Sequence, residues 1–585
     1  MKFSIISDSF EKMETTSKRL ELTDILVGLL KEIPTDVISK AIYLIQGKLR
    51  PNFEGVELGI AEKLVMRAMS KSSGIPLKKI ESDYNTGGDL GQTAQNILEQ
   101  KIQTTFSSET ITLERVYDTL YKIAQLEGKG SQEMKMRHIS SILNDATPQE
   151  AKFILKILLG TLRLGIAENT VMDALAIAFT GSKENRETIE DAYNVSSDLG
   201  KVAYEVSTGG IEQIRKFEIK IFSPIRPMLA DRTKSGKDAI KKFETKFAAE
   251  YKLDGERAQI HKEKDTIIIF SRSLENITSY YPDIVEKISK MIKSDEVILE
   301  AEVVAMNSKS DDFLPFQELM HRRRKYEIEN AVAKYPISVN FFDVLFADGK
   351  NCMELEYLER RSLLEKIIVQ DDFARLIPMS IIQNEEEVLE VLENSINSGC
   401  EGLMLKDLKS VYRAGIRGSN WLKLKREYQN ELGDSLDLVV IGAFFGKGRR
   451  TGRYGTLLLA TYNDEEDTFP SICKVGTGFT DESLDQLYQI LSNKVTLKKN
   501  PRIVSEMEAD VWFEPELVIE IVASEITLSP IHKTALGKVR DESGLALRFP
   551  KFTGKIRTEK NSENSSTDEE VIALFKVQKK TFNQE

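Results

Sequence analysis

The sequence has little of what builds disulfide-linked or zinc-binding proteins: three cysteines and four histidines in 585 residues. Cys352, Cys400 and Cys473 lie far apart, and no pair has the spacing of metal ligands. We therefore expect neither a disulfide framework nor a zinc site. Each cysteine is interpreted as a small buried side chain in a protein of a reducing compartment.

Long apolar runs are also missing. No stretch approaches the roughly 18 residues that span a bilayer. The first 16 residues are interrupted by Asp8, Glu11 and Lys12, which excludes a signal peptide. These absences predict a soluble, cytoplasmic protein with no membrane partner.

An overall excess of positive charge is absent too, since 81 basic side chains face 92 acidic ones and the net charge is -11. This balance excludes a protein that is basic over its whole surface. It does not exclude a local basic groove, because electrostatic steering depends on how the charge is distributed. The length exceeds what one hydrophobic core supports, so several domains are expected.

The periodicity of apolar residues changes twice along the chain. Helical spacing dominates residues 1–217, with segments such as Leu20 to Ile33, Val56 to Met69, Glu150 to Leu164 and Asn169 to Phe179. Short strands then alternate with helices in residues 218–430, and β-rich runs dominate residues 431–585. The sequence predicts an all-α domain, a mixed α+β domain and a small β-barrel of the oligonucleotide-binding (OB) type.

The most informative stretch runs from Glu250 to Arg257. The pattern predicts a strand from Phe247 to Tyr251, a turn through Asp254-Gly255 and a second strand from Ala258 to His261. Asp-Gly between two such runs favours a hairpin. Taken alone, the same pattern also fits a surface turn between solvated charges.

Four polar clusters follow, each on or beside a predicted strand: Glu300-Ala-Glu302, Phe342-Asp343, Glu401-Gly-Leu-Met-Leu-Lys406 and Trp421-Leu-Lys423-Leu-Lys425. Glu300 and Glu302 share a strand face because side chains alternate. The two lysines after Trp421 also fit a plain amphipathic edge strand. Lys406 and Arg413 also fit solvated surface charges, and Asp343 also fits a residue that braces the fold.

Together these groups suit nucleotidyl transfer. A phosphoryl centre needs positive charge near its oxygens, a divalent cation held by carboxylates and an aligned nucleophile. A neutral lysine can be that nucleophile, and an aromatic face such as Phe342 can hold a nucleobase.

The order of these motifs resembles the covalent nucleotidyltransferase superfamily. Over nearly its whole length the chain resembles the replicative ATP-dependent DNA ligases of archaea and eukaryotes. The matching segments are Lys252-x-Asp-Gly-x-Arg257, the four clusters, Ser223-Pro-Ile-Arg-Pro-Met-Leu-Ala, Phe270-Ser-Arg-Ser, Pro315-Phe-Gln with the basic run 321–325, and Leu547-Arg-Phe-Pro-Lys-Phe. The helical region resembles the DNA-encircling domain of these ligases.

The resemblance implies ATP and Mg²⁺ as cofactors, and nicked double-stranded DNA as the substrate in replication, repair and recombination. Lys252 would form a covalent bond to AMP. The remaining implied roles are adenine contacts by Glu250 and Phe342, ribose, phosphate or nick contacts by Arg257 and Arg272, ribose or Mg²⁺ contacts by Glu302 and Glu401, and a phosphate path lined by Arg417, Lys423 and Lys425. A monomer is expected.

Two positions depart from the family pattern. The last motif usually reads Arg-x-Asp-Lys, whereas Glu559 stands here in place of the aspartate. Residues 100–106, Gln-Lys-Ile-Gln-Thr-Thr-Phe, lie where related ligases carry a sliding-clamp peptide, but they lack the usual pair of adjacent aromatics.

Two kinds of alternative function stay open at the level of sequence. A GTP-using capping enzyme or an RNA ligase would share the central motifs but lacks the helical domain. A non-catalytic DNA clamp would share the fold without needing Lys252. NAD⁺-using ligases are disfavoured because the chain has no four-cysteine zinc cluster.

Overall fold

The computed structural model describes residues 1–100, 109–244, 246–307, 313–314, 316–322, 328–425, 435–446 and 452–583. Residue contacts divide the chain into two compact units. Unit 1 comprises Met1–Asp231, Phe243–Gln383 and Met404–Leu422, and unit 2 comprises Arg232–Lys242, Asn384–Leu403 and Lys423–Glu585. The three-domain boundaries stay a prediction, and the boundary at 430/431 lies outside the described residues.

The described part of residues 1–217 is helical, as predicted. Its α-helices are α1 (Ser4–Glu14), α2 (Arg19–Glu32), α3 (Ile38–Ile45), α4 (Glu62–Ser73), α5 (Leu77–Gly87), α6 (Leu90–Glu99), α7 (Leu113–Gln125), α8 (Ser131–Asp145), α9 (Pro148–Leu158), α10 (Glu168–Thr180), α11 (Arg186–Ser196) and α12 (Leu199–Ile214). Their apolar faces form one continuous core that includes Phe10, Leu26, Ile42 and Phe153.

Two predicted helices in this region were too long. Residues 56–61 precede the start of α4, and Gly55 and Gly59 both have positive φ, a conformation that helices do not contain. Residues 159–164 follow the end of α9, where Gly160 adopts φ 65°. In both places apolar residues continue the helical spacing, but a glycine ends or delays the helix.

The central region contains the mixed elements that its periodicity predicts. They are β1 (Leu229–Arg232), α13 (Gly236–Phe243), β2 (Phe247–Lys252), β3 (Glu256–Glu263), β4 (Thr266–Ser271), α14 (Pro282–Met291), β5 (Glu296–Ala305), α15 (Phe316–Met320), α16 (Ile328–Lys334), β6 (Ile337–Ala347), β7 (Lys350–Asn351), α17 (Tyr357–Ile367), β8 (Ala374–Leu376), β9 (Met379–Ile382), α18 (Glu385–Asn397), β10 (Gly402–Asp407) and β11 (Arg417–Lys425).

The predicted hairpin at Asp254-Gly255 is wrong. β2 belongs to a five-stranded sheet with the order β1-β11-β10-β2-β9. β3 belongs to a six-stranded sheet with the order β4-β3-β5-β6-β7, in which the sixth strand, β8, also pairs with β6. Gly255 is needed for close approach, because a Cβ there would lie 2.4 Å from the carbonyl oxygen of Val303. Asp254 accepts a hydrogen bond from the backbone N–H of Phe316 instead of closing a turn.

Side chains of β3 form hydrogen bonds with the backbone of the segment that links the helical region to β1. Gln259 accepts from the N–H of Ile225 at 2.8 Å and donates to its carbonyl at 2.9 Å. His261 accepts from the N–H of Phe222 at 3.0 Å through Nδ1, so Nε2 carries the proton that faces the Gln259 oxygen. Burial lowers the pKa of His261 to about 3.

The described C-terminal region is rich in strands. Its elements are β12 (Leu436–Phe445), β13 (Tyr454–Ala460), β14 (Phe469–Val475), α19 (Asp481–Ser492), β15 (Val495–Thr496), β16 (Ile503–Val504), β17 (Val511–Phe513), β18 (Val518–Val522), β19 (Glu525–Ser529), β20 (Gly544–Arg548), β21 (Lys551–Ile556) and α20 (Asp568–Asn583). β12 pairs with β13, β17 and β18, and the inward faces enclose a core with Leu438, Leu459 and Phe513.

Candidate active site

Lys252 ends β2, and Glu250 precedes it on the same face of the strand. The Glu250 side chain is 2% exposed and is held by three groups. The Tyr357 hydroxyl donates to Oε1 at 2.5 Å, Lys406 Nζ lies 2.6 Å from Oε2, and an Arg361 guanidinium nitrogen lies 3.6 Å from Oε1. The predicted adenine contact is thus part of a buried, charged network.

The alternative interpretation of Lys406 as a solvated surface charge is wrong, since its side chain is 1% exposed. Its ammonium lies 4.3 Å from the ring centre of Trp421, 4.9 Å from Phe342 and 5.0 Å from Tyr357. Aromatic faces attract a desolvated cation. The lysine therefore connects Glu250 to Phe342, the two side chains assigned to the adenine.

Arg257 forms a second buried network. Its Nε and a terminal nitrogen meet the two oxygens of Glu300 at 3.2 and 2.6 Å, and the other terminal nitrogen donates to the Met228 carbonyl at 2.9 Å. Tyr412 donates to Glu300 at 3.0 Å. Burial alone would disfavour the charged guanidinium, but Glu300 outweighs it and raises the pKa of Arg257.

Of the two predicted site carboxylates on β5, Glu300 is paired with Arg257, and Glu302 is partly exposed. Asp343, on β6, forms a buried bidentate ion pair with Arg360 at 2.7 and 3.2 Å. This geometry supports the bracing interpretation of Asp343.

Arg272 is exposed after β4 and lines a cavity of about 270 Å³. Lys48, Asn52 and Arg226 line the same cavity, and Arg226 is paired with Glu168 at 2.8 Å. Arg417 is exposed and donates to the carbonyl of Ala230 at 2.8 Å. Both arginines thus lie at the surface of unit 1, where anionic groups can reach them.

In unit 2, Lys425 forms an ion pair with Glu401 at 2.8 Å, and both side chains are partly exposed. Lys423 lies two residues earlier on the same strand face, as the alternation predicts. Gly402 has φ 146° and lies so close to the Leu424 carbonyl that a Cβ would be 2.2 Å away. Glycine at this position lets β10 and β11 come together beside these charges.

Glu559 also lies in unit 2, exposed beside Arg557, whose Nε donates to it at 2.6 Å. That hydrogen bond lowers the pKa of Glu559. Arg557 and Lys560 both contact Asp437, at 3.0 and 2.6 Å. The carboxylate of Glu559 is thus paired with Arg557, the arginine of the same motif.

The donor chemistry agrees with magnesium, although the described residues contain no group of three or more His, Cys, Asp or Glu side chains arranged to hold a metal. Mg²⁺ is commonly bound through one or two carboxylates together with substrate phosphates. Glu302 and Glu401 supply carboxylate oxygens of that kind. Glu401 would have to exchange its ion pair with Lys425.

Tyr357, Arg361 and Tyr412 were missed by the sequence analysis. Tyr357 is the first residue of α17, more than a hundred positions from Glu250, and no local motif marks it. Arg361 follows one turn later on the same helix. Only the tertiary fold brings these side chains to β2 and β5.

Across the described ranges, no helix combines the length and apolar character that crossing a bilayer requires.

Comparisons with known proteins agree with the motifs along the whole chain. The matching family descriptions are "DNA ligase N terminus" over residues 2–176, "ATP dependent DNA ligase domain" over 227–425 and "ATP dependent DNA ligase C terminal region" over 450–560. Similarity to the solved structure of Pmar-Lig_PreS3, at 18% identity and a TM-score of 0.54 over 94% of this chain and 99% of that one, supports the fold.

Relatives of known name are similar at much higher identity. The DNA ligase of Nitrosopumilus maritimus is 70% identical over 99% of each chain. That of Cenarchaeum symbiosum is 67% identical over 99% of this chain and 98% of its own, and DNA ligase 2 of Thermofilum pendens is 46% identical over 100% and 98%. The chain belongs to the ATP-dependent DNA ligase family.

Proposed function

We propose that this DNA ligase seals nicks in duplex DNA through a lysyl-AMP intermediate on Lys252. The observation that carries the assignment is the position of Lys252 at the end of β2, two residues after a carboxylate whose partner Lys406 also contacts Phe342. This arrangement supports Lys252 as a nucleophile close in the chain to a group suited to a purine.

Three transfers follow from this assignment. Neutral Lys252 Nζ attacks the α-phosphorus of ATP, and the bond to the β-phosphate oxygen breaks as pyrophosphate leaves. An oxygen of the 5′-phosphate at the nick then displaces the lysine and takes the AMP. Finally the 3′-hydroxyl attacks the 5′-phosphorus, and AMP leaves.

The remaining residues would bind and orient these groups. Glu250 and Phe342 would contact adenine, Arg257 and Arg272 the ribose, phosphates or nick, and Arg417, Lys423 and Lys425 the phosphate path. Glu302 and Glu401 would each contact the ribose or bind Mg²⁺, which when bound offsets negative charge on the phosphate oxygens. Arg257 would also keep the β3–β5 surface in place through Glu300.

The test is to incubate the protein with ATP labelled at the α-phosphate and Mg²⁺, then to look for label on the denatured chain. Wild type and the control Lys290→Ala, an exposed lysine on α14, should carry label, and Lys252→Ala should not. Label from GTP but not ATP would favour a capping-type enzyme. No label from either, in protein that is not already adenylated, would favour a non-catalytic clamp.

A sliding clamp as partner and a monomeric state also remain proposals. All of the clamp segment at residues 100–106 except Gln100 lies outside the described residues. A clamp pull-down that is unaffected by Phe106→Ala would count against this peptide.

A further inference from the structure

The buried network around Glu250 contains more than the adenine contact needs. Two of its members, Tyr357 and Lys406, come from α17 and β10 and have no assigned role in the transfers above. We propose that Tyr357 and Lys406 are positioning residues that hold Glu250 as the acceptor for the 6-amino group of adenine, and so select adenine nucleotides. The inference rests on the proposed adenine site.

The geometry constrains the carboxylate at both oxygens. Tyr357 donates to Oε1 at 2.5 Å and Lys406 meets Oε2 at 2.6 Å, so rotation of the carboxylate would break both contacts. Each carboxylate oxygen has a second lone pair and can still accept another hydrogen bond. The network therefore fixes the orientation of Glu250 without using up its capacity to accept.

The charge of Lys406 sets the chemical preference. Glu250 forms an ion pair with Lys406, and a carboxylate in an ion pair accepts hydrogen bonds but donates none. Adenine presents an amino donor at position 6, whereas guanine presents an oxygen there. A fixed acceptor attracts the first and repels the second, which makes selection an electrostatic consequence of the network.

The aromatic surroundings of Lys406 explain why a cation is tolerated at 1% exposure. The rings of Trp421, Phe342 and Tyr357 lie within 5.0 Å of Nζ and partly replace its lost hydration. Phe342 is also the ring assigned to the base. The Lys406 ammonium thus contacts both Glu250, which would bind the 6-amino group of the base, and Phe342, which would stack on its face.

The experiment compares ATP with purine riboside triphosphate, which lacks the 6-amino group, in the initial rate of protein labelling at limiting nucleotide. Wild type should prefer ATP by about tenfold or more, because the analogue leaves Glu250 without its partner. In Lys406→Met and Tyr357→Phe the preference should fall towards one. Lys409→Met, an exposed lysine three residues along, should keep the wild-type ratio.

A merely structural role for the two residues predicts a different result. The variants would then lose labelling with both nucleotides by the same factor, and the ratio would stay at the wild-type value, which would overturn the proposal. Equal labelling of wild type by ATP and the analogue would show that Glu250 does not select the 6-amino group. That result would overturn the proposal but leave the lysyl-nucleotide step intact. No labelling of wild type by any nucleotide would contradict the proposed function itself. If Lys406→Met does not fold, the ratio measured for Tyr357→Phe decides.

Discussion

At the scale of single residues, the ion pair between Asp343 and Arg360 indicates a structural rather than a chemical role for Asp343. Both side chains are at most 1% exposed. Arg360→Met should lower the stability of the protein by about 3–5 kcal/mol, because it leaves a buried carboxylate without its cation. Thermal unfolding measures this loss.

The double variant Arg360→Met, Asp343→Leu provides the control for that prediction. Removing both charges should be less damaging than removing the arginine alone. A double variant as unstable as the sum of the single variants would contradict the bracing role of Asp343.

Gly255 offers a second residue-scale prediction. In Gly255→Ala the new Cβ would lie 2.4 Å from the Val303 carbonyl oxygen and 2.9 Å from Glu302 Cγ, so β3 and β5 must separate. We expect a stability loss of about 1–3 kcal/mol and slower labelling of Lys252, measured by thermal unfolding and by the α-phosphate assay.

Gly28, on α2, serves as the control position for Gly255, because a Cβ there meets nothing within 4 Å. Gly28→Ala should raise stability by about 0.5–1 kcal/mol through helix propensity. The test is whether the two substitutions change stability in opposite directions. A Gly255→Ala variant as stable as wild type would show that the close approach is not required.

At the scale of elements, the linker bound to β3 gives stability a dependence on pH. The pKa of His261 is about 3 in the folded protein and near 6.5 when unfolded, so folding favours the neutral ring. Its contribution is complete above pH 6.5 and is lost as pH falls towards 3. At pH 5 the loss is about 2 kcal/mol.

Thermal unfolding of wild type and His261→Gln between pH 7 and pH 5 measures this contribution. Glutamine keeps an acceptor for the Phe222 N–H and cannot be protonated, so the variant should lose less stability on acidification. His532, whose pKa burial and Lys474 lower to about 4, should leave a residual dependence in both proteins. Parallel pH profiles would exclude His261 as a cause, and His138→Gln serves as the control.

Element types were predictable from sequence where periodicity was unambiguous, as in α2 and α10. The path of the chain at Asp254-Gly255 was not predictable, because an Asp-Gly pair has the same local chemistry whether the chain turns back or crosses between sheets. The motifs identified Lys252, Glu250 and Phe342 as candidates. The contacts of Tyr357, Arg361 and Tyr412 depend on which strands and helices become neighbours, and no local pattern carries that information.

At the scale of the whole molecule, a net charge of -11 requires that DNA binding depend on local cations. Affinity for a nicked duplex should therefore fall steeply with salt, since each neutralised phosphate releases counterions. Arg272→Ala should reduce the slope of log affinity against log salt by about one if that arginine contacts a phosphate. Filter binding or anisotropy from low to physiological salt measures the slope, and Lys290→Ala should leave it unchanged.

The placement of β2 has a consequence for how the enzyme is made. The strand that ends in Lys252 takes its neighbours β9 and β10 from Met379–Ile382 and Gly402–Asp407, far later in the chain. Strand pairings between distant segments form only after the intervening chain exists. A ribosome must therefore translate well past Lys252, the proposed nucleophile, before that lysine has its sheet. A chain released earlier would carry Lys252 without the strands that the proposed transfer of AMP requires.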